Sequence, residues 1–308
     1  MKASNATSSR TATPRAEPPR NEASSFSTAE RFTLSGPSLV LDERVHAYRR
    51  DIADIALAGQ LFAPHYARPL IRGCGTRPTF IYPAPSIEQP ISSELLPGEG
   101  FAVLEISDGW AWGYSRHDHY VGYVEAISLV EAPPPTHVVA AIEAAILPEP
   151  DVHVPHLAAL PMGARVTGHE QSGFLATDIG FIASTQVRAI GAYEHDPVAV
   201  AERLLNSPYL LGGRSPRGID CSGLVQVSHG FCGIRTPRDS DQQRALGQPL
   251  PPAETLRRGD LIFFEGHVGM MVDAQDLIHA TGHHGRTVIE PLDAVAGRTS
   301  VAERRRLS

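Results

Sequence analysis

The sequence predicts an α+β protein in which two runs of short β-strands precede a mixed domain of helices and strands. Three observations point there. Residues 77–131 and 137–190 break into short apolar runs separated by Pro- and Gly-bearing turns, the spacing of small β-barrels. From Asp196 onward, helix candidates and strands follow one another. Between Tyr209 and Asp220, a loop punctuated by Gly212, Gly213, Pro216 and Gly218 delivers one cysteine, Cys221, to the first turn of a helix.

Composition narrows the function classes. A chain of 308 residues is long enough for two or three domains, and 42% hydrophobic with 20% charged residues is a globular balance. The formal net charge of −7 argues against binding nucleic acid by phosphate neutralisation and against adsorption to an anionic membrane. Three cysteines, Cys74, Cys221 and Cys232, fit a reducing compartment without a disulfide framework. Cys221 and Cys232 on one unbroken helix stand about 16 Å apart, too far to bond. No run reaches the ~20 apolar residues of a membrane span. The first 30 residues lack a signal peptide's apolar core. The expectation is a cytoplasmic protein.

In chain order, residues 1–35 are rich in Ser, Thr, Ala, Pro, Glu and Arg and predict a disordered tail. Residues 36–76 predict an N-terminal helical segment, because Ile52, Ile55, Ala56 and Gln60 trace a helical stripe within Leu39–Leu61. Over residues 77–131 the strand candidates are Thr79–Tyr82, Phe101–Glu105, Trp110–Tyr114 and Tyr120–Val124. Trp110 and Trp112, two apart on a strand, share a face. This region resembles a bacterial SH3-like domain through Leu95–Glu99, Asp108–Trp112 and Tyr120–Val124. Ala132–Pro135 is a stiff hinge. Residues 137–190 read as a degenerate second copy, since Leu160–Gly163 echoes Leu96–Gly98.

The last domain, residues 193–304, carries the chemistry. Val198–Leu205 is a helix candidate, Pro237–Gln243 a cap and helix start. Asp260–Phe264, His267–Val272 and Asp276–Ala280 are consecutive strands. Asp220 is a capping type, so Cys221 meets the positive end of the helix macrodipole, which favours thiolate. A lone cysteine is more often a structural core residue. Here His267 and His279 change the balance. They lie twelve apart around turn residues Asp273–Asp276, so an antiparallel hairpin brings both onto one face. His267 then serves as base to Cys221 and His279 orients it, the nucleophile–base–orienter logic of a triad. A zinc site from Cys221, His267, His279, His283 and His284 is the weaker reading, since His283-His284 in a Gly-flanked turn reads as surface loop. No cofactor or metal is expected.

In order, Tyr209, Gly212-Gly213, Asp220–Gln226, Arg238–Ser240, Gly259–Phe264, Gly266–Gly269 and Leu277–Ala280 resemble the NlpC/P60 family of cysteine peptidases, which cleave peptidoglycan stem peptides. The resemblance implies a papain-like fold, with Cys221 as nucleophile, His267 as base and acid, and His279 as orienting residue. Tyr209 would place its hydroxyl near the reacting carbonyl, and Asp220 and Ser222 would add polar contacts to substrate. The tandem SH3-like units are similar to a subgroup of γ-D-glutamyl-L-diamino acid endopeptidases acting on muropeptides with a free N-terminal L-Ala. That likeness implies that Glu99, Tyr120, Asp239 and Ser240 hold the substrate amine. Leu211 stands where a tryptophan is common in the family, leaving that wall less aromatic. Two other readings remain open: a secreted wall D,L-endopeptidase anchored by its SH3-like domains, and a non-catalytic wall-peptide binder.

Overall fold

The computed structural model describes residues 40–307, so the tail expected over residues 1–35 lies outside it. The helix expected within residues 36–76 does not form. Ile52–Asp54 is instead a strand running parallel to His65–Ala67, and one 3-10 turn spans Ile55–Leu57. The stripe fails because its members have opposite fates: Ile52 is 6% exposed and Ile55 46%. Tertiary contacts hold this segment as a strap. Ala47 and Ile52 pack with Leu104 and Trp112, and the Arg49 guanidinium lies 4.4 Å over the Trp112 ring.

The first β-unit also starts earlier than residue 77. Its five-stranded antiparallel sheet is built from β1 (Leu70–Cys74), β2 (Gly100–Ser107), β3 (Trp110–Ser115), β4 (Val121–Glu125) and β5 (Leu129–Val130), in the order β4-β3-β2-β1-β5. A separate hairpin, Thr79–Ile81 with Ser93–Leu95, joins it through a bridge between Tyr82 and Tyr123. Among the described residues the strands do not close into a barrel. The core comprises Cys74, Ile81, Leu95, Phe101, Val103, Ala111, Tyr120 and Val124.

Residues 137–189 form three small sheets around Val139, Ile146, Leu160, Leu175 and Ile182. Both units end the same way, with a 3-10 turn (Ala126–Ser128, Ser184–Gln186) feeding a last short strand. They meet at Gly98, where φ is +71° and a Cβ would stand 2.0 Å from the Arg165 carbonyl oxygen. Only glycine fits that approach.

The last unit is a six-stranded antiparallel sheet with helices packed on it. Gln248–Pro249 is one edge, followed in space by β10 (Glu303–Arg306), β6 (Leu261–Phe264), β7 (His267–Met271), β8 (Asp276–Thr281) and β9 (Arg286–Pro291). The period-two pattern of β6 supplies two cores. Leu261 and Phe263 pack with α1 (Pro197–Arg203) and α2 (Cys221–Phe231), while Ile262 and Phe264 pack with Met271, Leu277, Leu292 and Val295.

Candidate active site

Helix α2 begins at Cys221 because Asp220 caps it. The Asp220 carboxylate accepts the Gly223 N–H at 2.7 Å. A side chain at Gly223 would put Cβ 2.4 Å from the Gly213 carbonyl oxygen, so the preceding loop packs directly on the first turn. Cys221 is buried in one cluster with Val268, the residue after His267. Tyr209 packs against the same cluster, and burial pushes its hydroxyl up to about 12.

The hairpin expected around Asp273 forms. Met270 pairs with Ile278 and Met271 with Leu277, which puts His267 and His279 on one face of the sheet. His267 Nε2 lies 2.7 Å from His279 Nδ1, and His279 Nε2 lies 2.8 Å from Glu290 Oε1. Glu290 comes from β9, where it pairs with Leu277, and Arg298 donates to the same oxygen at 2.5 Å. Burial alone would raise the Glu290 carboxyl, but Arg298 and His279 hold it at about 2.

This order assigns the protons. An ionised Glu290 accepts, so His279 carries hydrogen on Nε2 and presents Nδ1 as a lone pair. His267 Nε2–H donates to that lone pair, which leaves His267 Nδ1 free to take a proton from a thiol. Burial, with His279 alongside, pushes His267 down to about 4. Burial, with Asp220 alongside, pushes the Cys221 thiol up to about 11. Burial thus opposes the charged form of each group, against the thiolate that the helix end favours.

A second polar cluster lies on the far side of Arg238. Arg238, fully buried, forms an ion pair with Asp220 at 2.7 Å and bonds Ser93 of the first β-unit. The next residue, Asp239, accepts from the Tyr120 hydroxyl at 3.2 Å and from Arg44 Nη1 at 2.9 Å. Ser240 opens the short helix α3 (Ser240–Gln243) next to it.

Three expected substrate contacts sit differently. Asp220 accepts from Gly212 and Gly223 N–H groups, the Ser222 hydroxyl and Arg238, so its oxygens are occupied by the helix cap and the ion pair. The Ser222 hydroxyl lies in the same network, 2.9 Å from Arg238 Nη1. Glu99 is buried in a two-point ion pair with Arg214, at 2.8 and 3.2 Å, and accepts the Leu96 N–H. Burial would raise its carboxyl, but Arg214 holds it at about 2. Glu99 joins the first β-unit to the loop before Cys221 and is not open to a ligand. Glu290, Arg214 and Arg44 escaped the sequence reading, and Arg238 entered it as a motif residue without a role. Of the three that escaped, only Glu290 left a trace there, as a carboxylate on a strand across a Gly-rich turn from His279. Two cavities, of about 950 and 710 Å³, lie elsewhere, one by the 132–135 linker and one against loop 210–218.

Comparisons with known proteins place this geometry. Residues 206–304 match the model of the NlpC/P60 family, and residues 81–129 match that of the bacterial dipeptidyl-peptidase SH3 domain. A probable endopeptidase NlpC homolog of Haemophilus influenzae is 34% identical over 35% of this chain, which spans 60% of that relative's length. Dipeptidyl-peptidase 6 of Lysinibacillus sphaericus is 25% identical over 69% of this chain and 88% of its own. A gamma-D-glutamyl-L-lysine dipeptidyl-peptidase of Bacillus subtilis is 28% identical over 43% of this chain and 48% of its own. An NlpC/P60 family protein of Bacillus cereus superposes over 77% of this chain and 99% of its own, with a TM-score of 0.66 at 18% identity, which establishes a common fold.

Proposed function

We propose that this chain, an NlpC/P60 domain with a bacterial SH3 domain ahead of it, is a cysteine peptidase that hydrolyses the γ-D-Glu–diamino acid bond of peptidoglycan stem peptides with a free N-terminal L-Ala. The observation that carries the reading is the chain of contacts from His267 through His279 to Glu290 behind a helix-end thiol. The Cys221 proton passes to His267 Nδ1 as sulfur attacks the scissile carbonyl. N–H groups at the start of α2 and the Tyr209 hydroxyl stabilise the oxyanion. His267 returns the proton to the leaving amine of the diamino acid, and a thioacyl enzyme remains. Water, deprotonated by His267, releases the D-Glu carboxylate.

Asp239 and Tyr120 supply the other end of the specificity, where a desolvated ammonium needs an ionised partner. Ser240, beside them, is a further contact for the amine. The unit over residues 137–190 is a second SH3-like unit, supported by the ending it shares with the first. The compartment we favour is the cytoplasm and the role is recycling of released muropeptides, for which the few unpaired cysteines are the support.

Mass spectrometry of products from a defined panel tests this. The expected result is a cut of L-Ala-γ-D-Glu-diaminopimelate after D-Glu, lost in Cys221→Ala and severely reduced by N-acetylation. Equal cleavage of free and acetylated peptides would sink the amine-dependent version and favour a wall endopeptidase. Fractionation of expressing cells tests the compartment.

A further inference from the structure

Arg44 lies 195 residues before Asp239, in the strap that precedes the first β-sheet. All its N–H groups are engaged. Nε bonds Asp42, Nη1 bonds Asp239 Oδ2 and Asp241 Oδ1 at 2.9 Å each, and Nη2 bonds Asp42 and Asp241 Oδ2 at 2.9 Å each. Asp42 also accepts from Gln242 at 2.9 Å, so the strap is fastened to the start of α3 at several points. A guanidinium with no donor left does not bind substrate itself.

The two oxygens of Asp239 are not equivalent. Oδ2 accepts from Arg44 at 2.9 Å and from Tyr120 at 3.2 Å, whereas Oδ1 has only the Tyr120 hydroxyl, at 3.4 Å. The cluster is acidic as a whole, with Asp42, Asp239 and Asp241 around one guanidinium. Among the described residues the other cation acting on Asp239 is Arg238, which is turned onto Asp220. Such a site takes a cation with hydrogens to donate.

We propose that Arg44 is a positioning residue for amine recognition: it fixes Asp239 through Oδ2 and leaves Oδ1 to accept from the substrate's ammonium. This rests on the amine-end reading of the preceding subsection. The fork geometry matters as much as the charge. Two-point contacts to Asp241 and Asp42 orient the guanidinium, and its remaining hydrogen stops Asp239 from rotating. Arg44 also opposes the desolvation that raises the Asp239 carboxyl. The groups around that carboxyl are Arg44 and Asp42 on the strap, Tyr120 before β4, and Arg238 and Asp241 on its own segment. Removing Arg44 takes away a cation and leaves the acids. The free-amine reaction should then lose its acid-side activity at higher pH.

The test compares free and N-acetylated L-Ala-γ-D-Glu-diaminopimelate with the full chain, Arg44→Ala, Arg44→Lys, Asp239→Asn and the Arg44→Ala/Asp239→Asn double variant. The expected result for Arg44→Ala is a KM for the free peptide raised about tenfold with kcat kept. Its acid limb moves to higher pH and cleavage of the acetylated peptide is unchanged. Arg44→Lys recovers part of the loss, and Arg44→Ala adds nothing once Asp239 is Asn. If Arg44→Ala does not fold, Arg44→Lys, which keeps charge without the fork, carries the same comparison. Equal losses on both peptides, or a full additional loss in the Asp239→Asn background, would overturn the role of Arg44. If the unaltered protein cuts both peptides equally well, the amine reading itself falls, an outcome that the first comparison separates from the others.

Discussion

The thiol end and the acid end of the proposed site are built on different plans. At the thiol end, Cys221, His267, His279 and Glu290 all come from one domain, on one helix and two neighbouring hairpins. At the acid end, Arg44 comes from the N-terminal strap, Tyr120 from the edge of the first sheet and Asp239 from the last domain. Bond-breaking groups need fixed distances, which short-range hairpin register supplies. Selection of one substrate terminus needs only a wall, and a separate unit can supply it. The link between the ends is Arg238, which bonds Asp220 next to the thiol and carries Asp239 on its other side.

The largest effects should separate the two ends. Cys221→Ala removes turnover of every peptide, by at least about a thousandfold in kcat, while Asp239→Asn should abolish only the preference for a free amine. Loss of both peptides alike in Asp239→Asn would dissolve the distinction. Next in size is the junction. Glu99→Ala takes the two-point carboxylate partner from the buried Arg214 guanidinium and leaves it Gln226 Oε1 and the Glu94 carbonyl, at a cost of about 3–5 kcal/mol. Urea unfolding measures it, and a midpoint shift worth under about 1 kcal/mol would mean that water reaches Arg214 after all.

A smaller effect is expected at Glu290. Glu290→Gln should lower kcat by about tenfold, as second-layer partners of a catalytic histidine do, with KM unchanged. It no longer enforces the proton on His279 Nε2. A raised KM with normal kcat would place Glu290 in binding instead.

The smallest effect is a pH dependence of stability. His229, His267 and His279 are held neutral by burial, with pKa values below the ordinary 6.5. Below pH 6.5 the unfolded chain therefore binds more protons than the folded one, and stability falls as pH drops from about 6.5 towards 4. Chemical denaturation at stepped pH checks this. A flat profile over that window in the parent, or the same slope in His229→Gln, would contradict the assignment.

Sequence reading reached the thiol end because its signals are local. A capping Asp before Cys221 and two histidines around a turn at Asp273 are patterns of period and spacing, and hairpin register turns them into contacts. Glu290 escaped because its partner is a diagonal neighbour across a second hairpin, visible only once β8 and β9 are in register. Glu99 was expected to hold the substrate amine, yet its partner Arg214 lies 115 residues away. The helix expected over Leu39–Leu61 failed for the same reason: Trp112 and Glu105 hold that strap through Arg49, and no local pattern announces them.

By itself, then, the sequence determined the three consecutive strands that follow Asp260, the helix-end cysteine and the shared face of the two histidines. These follow from backbone periodicity and capping, which act within a few residues. The tertiary structure alone decided that burial opposes charge on Cys221 and on His267, that Glu99 is a fastening between units, and that Asp239 is held by Arg44. Desolvation and ion pairing depend on what the rest of the chain folds against a residue, and that is set over a hundred residues or more.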